Sequence, residues 1–142
     1  MGTAQDIVAG LQRSWNDGDA DGWAAAFAEE AEFVDVLGRV QRGRAVIADE
    51  HRKVFTSIYR GSQVDLRLHW ARPLAEGLHL VRTSSTLRVP DGPRAGETRS
   101  VQTMLLRDGE ILAFHNTIST TMAAFADHDE TLDAQDPLGW QD

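Results

Sequence analysis

Apolar positions recur at helical spacing in roughly the first sixty residues and at strand spacing after them. Ile7, Leu11 and Trp15 stand four apart with Val8 beside them, which predicts an amphipathic helix over Ala4–Asn16. Thr3 suits its N-cap, with Asp6 three residues on. The turn cluster Asn16–Gly22 leads into a short second helix, in which Trp23 and Phe27 stand four apart. Over Glu32–Leu37 the period becomes two, so Phe33, Asp35 and Leu37 fall on one strand face. Gly38 breaks that strand and Arg39–Arg42 returns. Gly43 opens a third helix that runs to about Ile58, striped by Val46, Ile47, His51, Val54, Phe55 and Ile58, with Gly61 near its end.

The rest reads as β. Val64, Leu66, Leu68 and Trp70 alternate with Asp65, Arg67 and His69, and Leu78–Val89 is a second strand. Pro90-Asp91-Gly92-Pro93 marks a loop. Arg99–Arg107 and Glu110–Ser119 form a hairpin about Asp108-Gly109, a strong hairpin signal. Regular alternation puts Ile111, Ala113 and His115 on one face and Asn116 on the other. Helices followed by a meander of strands predict an α+β domain over residues 1–124. A curved antiparallel sheet wrapped around three N-terminal helices would enclose a cone with an internal pocket.

Composition narrows the function. The net charge is -8, which argues against a nucleic-acid partner. Most of that charge belongs to residues 125–142, an acidic tail with six acids and neither Lys nor Arg. The tail is expected either to stay disordered or to lie over the sheet or a neighbour through Phe125, Leu132 and Trp140. Deletion from Asp127 onward is expected to leave the fold intact. With no Cys, disulfides and thiolate chemistry are excluded. Neither a signal-like apolar segment nor a membrane-length run occurs, so a soluble, cytoplasmic protein without a membrane partner is expected. The five His have no metal-ligand spacing on a helix; His69 and His79 facing across a hairpin would make an incomplete site, so no metal is expected. No Ser sits in a GxSxG elbow, and no dinucleotide fingerprint or other cofactor motif is present.

Three residues carry the candidate chemistry. Asp35 stands between Phe33 and Leu37; on an apolar face its pKa would rise, as suits a general base. The alternative is an edge Asp facing water or paired with Arg39 or Arg42. His115 is either an acid or ligand donor in the pocket or a core His bonded to backbone or to Asn116. His51, between Ile47 and Phe55 on the helix stripe, is either a satisfied core His or a pocket residue. Trp15, Phe33, His51, Phe55, Trp70 and Met104 would line a pocket for a hydrophobic small molecule, with core packing as the alternative.

Three segments carry a family resemblance: WNDGDADGWAAAFAEEAEFVDVLGRVQRG, AVIADEHRKVFTSIYRGS and LLRDGEILAFHNT. In these the chain resembles the NTF2-like superfamily, more narrowly its SnoaL-like and SgcJ/EcaC-type members, over about residues 4–120. The resemblance implies the cone fold, a homodimer with the Asp65, Arg67 and His69 face near the interface, and an association with enediyne or other polyketide biosynthesis. It matches Asp35 to the base of ketosteroid isomerase-like members and Gln102 approximately to their oxyanion donor. Here that donor is an amide rather than an acid, and Trp15 stands where a Tyr would be wanted. The implied activity is a cofactor-independent cyclase, isomerase or dehydratase acting on a polyketide or polyene intermediate; the alternative is a non-catalytic carrier of such a molecule.

Overall fold

A computed structural model describes residues 3–126. Helix α1 spans Ala4–Asn16 and α2 spans Ala20–Ala25; strands β1 (Phe27–Val34) and β2 (Val40–Arg42) follow, then α3 (Arg44–Phe55). Strands β3 (Gln63–Ala75), β4 (Leu78–Val89), β5 (Gly96–Arg107) and β6 (Glu110–Ile118) complete the sheet, and a single turn of helix, α4 (Met122–Phe125), ends the described chain. The α+β expectation holds for these residues; the acidic tail beyond Ala126 lies outside them.

Thr3 caps α1 as the spacing predicts, its hydroxyl accepting from the Asp6 amide while the Asp6 carboxylate receives the Thr3 amide. The second helix is shorter than its Trp23–Phe27 spacing suggests. Phe27 already begins β1, because its side chain enters the core from the sheet, fully buried. Helix α3 starts one residue after Gly43, whose φ of 93° is open to glycine but strained for other residues.

The six strands form one curved sheet in the order β2-β1-β6-β5-β4-β3. All neighbours are antiparallel except β1 and β6, which run parallel. Strand β3 is an edge, and α1 blunts it. The Gln12 and Asn16 side-chain carbonyls accept from the amides of Leu66 (2.8 Å) and Val64 (2.7 Å). An edge strand with occupied amides is a poor template for another chain. Leu11, Trp23, Phe27, Ile47, Val81, Met104, Ile111 and Phe114 form the core between helices and sheet.

Two of the sheet's register irregularities decide which way the side chains of β6 and β3 face near the site. Leu112 is an extra residue in the β5–β6 ladder: Leu106 pairs with Ile111, but Leu105 pairs with Ala113. Such a bulge shifts the strand's phase by one. Ile111 and Phe114 therefore both point into the core, and His115 points out. His69 does the same in β3, between the pairs Leu68–Thr83 and Trp70–Arg82. Trp70 is thereby turned to the outer face, under the guanidinium groups of Arg72 and Arg82 at 5.0 and 5.5 Å.

Candidate functional site

A cavity of about 280 Å³ opens between the sheet's inner face and helices α1–α3. It is far larger than the roughly 10–15 Å³ one water needs. Its walls are mainly apolar, with Trp15, Trp23, Phe33, Val54, Leu66 and Phe114 among them. Polar side chains interrupt them, among them His51 and Glu50 from α3, a hydrogen-bonded row on the sheet with Ser100 and Thr98 beside it, and Asp35 with Arg39 in the turn between β1 and β2.

His51 is 4% exposed. The ring is edge-on to Trp15, Phe33 and Phe55 and stacked on Trp23. Its Nδ1 lies 2.7 Å from the Ile47 carbonyl. A carbonyl only accepts, so Nδ1 carries the proton and Nε2 keeps its lone pair. Burial lowers the pKa to about 4, outweighing the Ile47 hydrogen bond and the charges of Glu50 and Asp35, which act the other way. At neutral pH the cavity thus holds an uncharged imidazole, and no described residue hydrogen-bonds its Nε2.

The row on the sheet follows from register. Thr83, Gln102 and Asn116 stand directly across from one another on β4, β5 and β6, all on the inner face. Thr83 Oγ1 donates to Gln102 Oε1 at 2.7 Å. Gln102 Nε2 donates to Ser85 Oγ at 3.0 Å and to Asn116 Oδ1 at 2.9 Å. Gln102 is 3% exposed, and both of its amide protons are engaged. It therefore has none to offer an enolate, contrary to the donor role implied by resemblance.

Asp35 lines the cavity near its mouth, but its carboxylate is tied into the turn. Oδ1 accepts from the Leu37 and Arg39 amides at 2.8 and 3.0 Å, and Oδ2 from Arg39 Nε at 2.8 Å. Partial burial is the largest single influence and acts upward. The Arg39 and Leu37 hydrogen bonds and the Arg39 charge together overcome it, holding the pKa below the usual value. The expectation of a raised pKa is thus corrected, because the sequence does not reveal the two amides that fold back onto the side chain.

His115 lies on the far face of β6 from the cavity, half-exposed, with Nε2 3.2 Å from Glu32 Oε2. The bulge at Leu112 is the reason. Asn116, expected to face away, lines the cavity instead. Of the expected lining residues, Trp15, Phe33 and His51 reach it. Phe55 is buried behind it, 4.8 Å from the Trp15 ring, and Met104 is packed in the core opposite Val81 and Phe114. Trp70 lies outside. Ser85 and Asn116 had a usable signal: both share strand parity with inward apolar neighbours, Leu87 and Phe114. His69 bonds Ser84 at 2.7 Å while His79 pairs with Pro73, so these two imidazoles do not converge. Among the described residues no group of three or more His, Asp or Glu is placed to hold a metal ion, and no helix is long and apolar enough to cross a membrane.

A cone of helices closed by a curved sheet over a mostly apolar cavity defines the NTF2-like, cystatin-like class of fold. The SnoaL-like domain profile matches residues 8–114, and the chain belongs to that family. It is similar to a domain of unknown function with a cystatin-like fold from Nostoc punctiforme (23% identity, 94% of this chain and 91% of that one, TM-score 0.77). It is also similar to an uncharacterized protein of the same fold from Caulobacter vibrioides (26%, 87% and 92%, 0.72). A ketosteroid isomerase-like protein from Erwinia carotovora atroseptica (11%, 82% and 93%, 0.68) shares the fold alone. No curated protein matches the chain by sequence.

Proposed function

We propose that this protein is a cofactor-independent acid–base enzyme of the isomerase or dehydratase type, acting on an apolar carbonyl compound in the cavity. The observation that carries this reading is His51: a buried, neutral imidazole with its Nε2 lone pair unclaimed in a mainly apolar chamber. A base with a pKa near 4 is weak. It suits a proton already acidified by a neighbouring carbonyl, and the charges of Asp35 and Glu50 favour the imidazolium that forms. Asp35 then works as a fixed anion beside the proton acceptor. A polyketide or polyene intermediate of secondary metabolism, in the SgcJ/EcaC manner and with an enediyne pathway as one setting, fits the apolar walls. A homodimer built on the outer sheet face and a cytoplasmic location complete the reading.

The test is exchange of protons next to the carbonyl in D2O, followed by NMR on a panel of apolar ketones and 1,3-diketones. His51→Phe is expected to lower the exchange rate by about a hundredfold or more. Undiminished exchange in that variant would remove His51 from the chemistry. A second reading, a carrier that sequesters such a compound, is favoured by the locked carboxylate of Asp35. Tight binding without exchange in the unaltered protein would select it.

A further inference from the structure

We infer that Ser85 and Asn116 together form a two-donor cradle for one carbonyl or enolate oxygen of the ligand, and that Gln102 is the residue that aims them. The inference deepens the acid–base reading by naming what the ligand presents to the sheet. It follows from counting donors and acceptors along the row.

Thr83 is fully buried, and its hydroxyl proton goes to Gln102 Oε1. With Oε1 turned to Thr83, the NH2 end of the Gln102 amide faces Ser85 and Asn116 and gives one proton to each. Each of these receives a proton from Gln102 and is thereby made an acceptor on that side. Ser85 is left with its own O–H to give, and Asn116 with both protons of Nδ2. Both residues line the cavity beside the apolar Leu66, Leu87, Phe114 and Ile118, with the hydroxyls of Ser100, directly opposite Ser85, and Thr98 farther along β5. Of these sheet groups, Ser85 and Asn116 are the two whose direction is set by Gln102, three strands deep.

The helical wall offers the complement, since His51 at neutral pH has only an acceptor. The ligand class is an apolar molecule with an acceptor oxygen toward β4 and β6 and an acidic C–H or an O–H toward α3. A saturated hydrocarbon of the same shape leaves the Ser85 and Asn116 protons unpaired, and a site built for a polar group discriminates strongly against such an analogue. A ligand carrying only donors at that end meets the same penalty.

The probes are 2-acetylnaphthalene, labelled with 13C at the carbonyl, and the matched hydrocarbon 2-isopropylnaphthalene. Binding is read from the fluorescence of Trp15 and Trp23, both in the cavity wall, and the bound ketone's carbonyl stretch is read by infrared spectroscopy. The unaltered protein is expected to prefer the ketone and to move its stretch to lower frequency than in hexane. Ser85→Ala and Asn116→Ala should each weaken the ketone about tenfold, leave the hydrocarbon unchanged and move the stretch part of the way back. Gln102→Met, which removes the amide that aims both donors, should reproduce the loss of preference. Thermal unfolding of each variant identifies any that fail to fold, and Ser85→Ala, the smallest change, keeps the test open if the others do.

Equal losses for ketone and hydrocarbon, an unchanged preference in all three variants, or no binding of either probe would overturn the cradle. The two proposals fail separately. A shifted carbonyl without proton exchange leaves the cradle standing and removes the base. Exchange that ignores Ser85 and Asn116 does the reverse.

Discussion

The indole of Trp23 lies against the imidazole of His51, with ring centroids 5.2 Å apart and planes 29° from parallel. A flat apolar neighbour on one face and aromatic edges around it are why the imidazole cannot hold a proton at neutral pH. The unfolded chain takes up that proton below about pH 6.5, the folded chain only near 4. Between those values the unfolded state binds more protons, so stability rises with pH. Of the charged groups near the ring, Glu50 on α3 and Asp35 in the β1–β2 turn soften the effect without reversing it. Urea unfolding of the native protein should lose about 3 kcal/mol from this group between pH 7 and pH 4. His51→Phe should flatten that slope, and an equally steep slope in the variant would assign the pH dependence elsewhere.

Asp35 behaves in the opposite sense. Its carboxylate is stabilised in the folded state, so its contribution is present at neutral pH and is lost as pH falls through a value below 3.8. Asp35→Asn is expected to cost about 1–2 kcal/mol through the turn's lost charge-assisted hydrogen bonds. Arg39→Gln should raise the Asp35 pKa in a carbon-13 NMR titration. A pKa already above the usual carboxylate value in the native protein would contradict the geometry.

Phe114 and His115 are neighbours with opposite fates. Phe114 is 2% exposed and stacked on Phe33 at 5.0 Å, whereas the His115–Glu32 pair is solvated. Phe114→Ala should cost about 3–5 kcal/mol. His115→Ala should cost about 1 kcal/mol or less and leave ketone binding untouched. If the two swapped, the strand phase described above would be wrong.

A Cβ on Gly22 would strike the Asp19 carboxylate and lie 2.8 Å from Ser14 Oγ. That carboxylate caps α2 through the Gly22 amide at 2.9 Å. Gly22→Ala should therefore act like removal of the cap and cost about 1 kcal/mol. Combined with Asp19→Ala it should cost clearly less than the sum, since both changes remove one interaction. Full additivity in thermal unfolding would show that the two residues act independently.

What the sequence made legible was period, and what it concealed was phase. The stripe of Ile7, Leu11 and Trp15 and the strict alternation Val64–Leu68 define elements, because each register of the pattern buries a different set. In Ile111-Leu112-Ala113-Phe114 all four residues are apolar, so either phase buries apolar groups and the bulge leaves no trace in composition. His115 and Asn116 exchange faces on that single extra residue, as Trp70 does on His69. Asp35 was visible as a carboxylate beside apolar neighbours, but the two backbone amides that claim it depend on turn geometry. The role of Gln102 depended on counting protons, which requires knowing that Thr83 and Asn116 flank it.

The parallel pairing of β1 with β6 has a consequence for how the chain is made. Strands β3, β4 and β5 form a meander whose partners follow one another directly. Among the described residues, and apart from the three-residue β2, β1 pairs only with β6, which begins at Glu110. At about 5–20 residues per second of synthesis, β1 waits roughly 4–15 seconds for that neighbour. Until then the chamber lacks the wall that contains Phe114 and Asn116. An unfinished chain can hold most of its described secondary structure and still have no closed chamber, so the chamber is completed in one step, with β6.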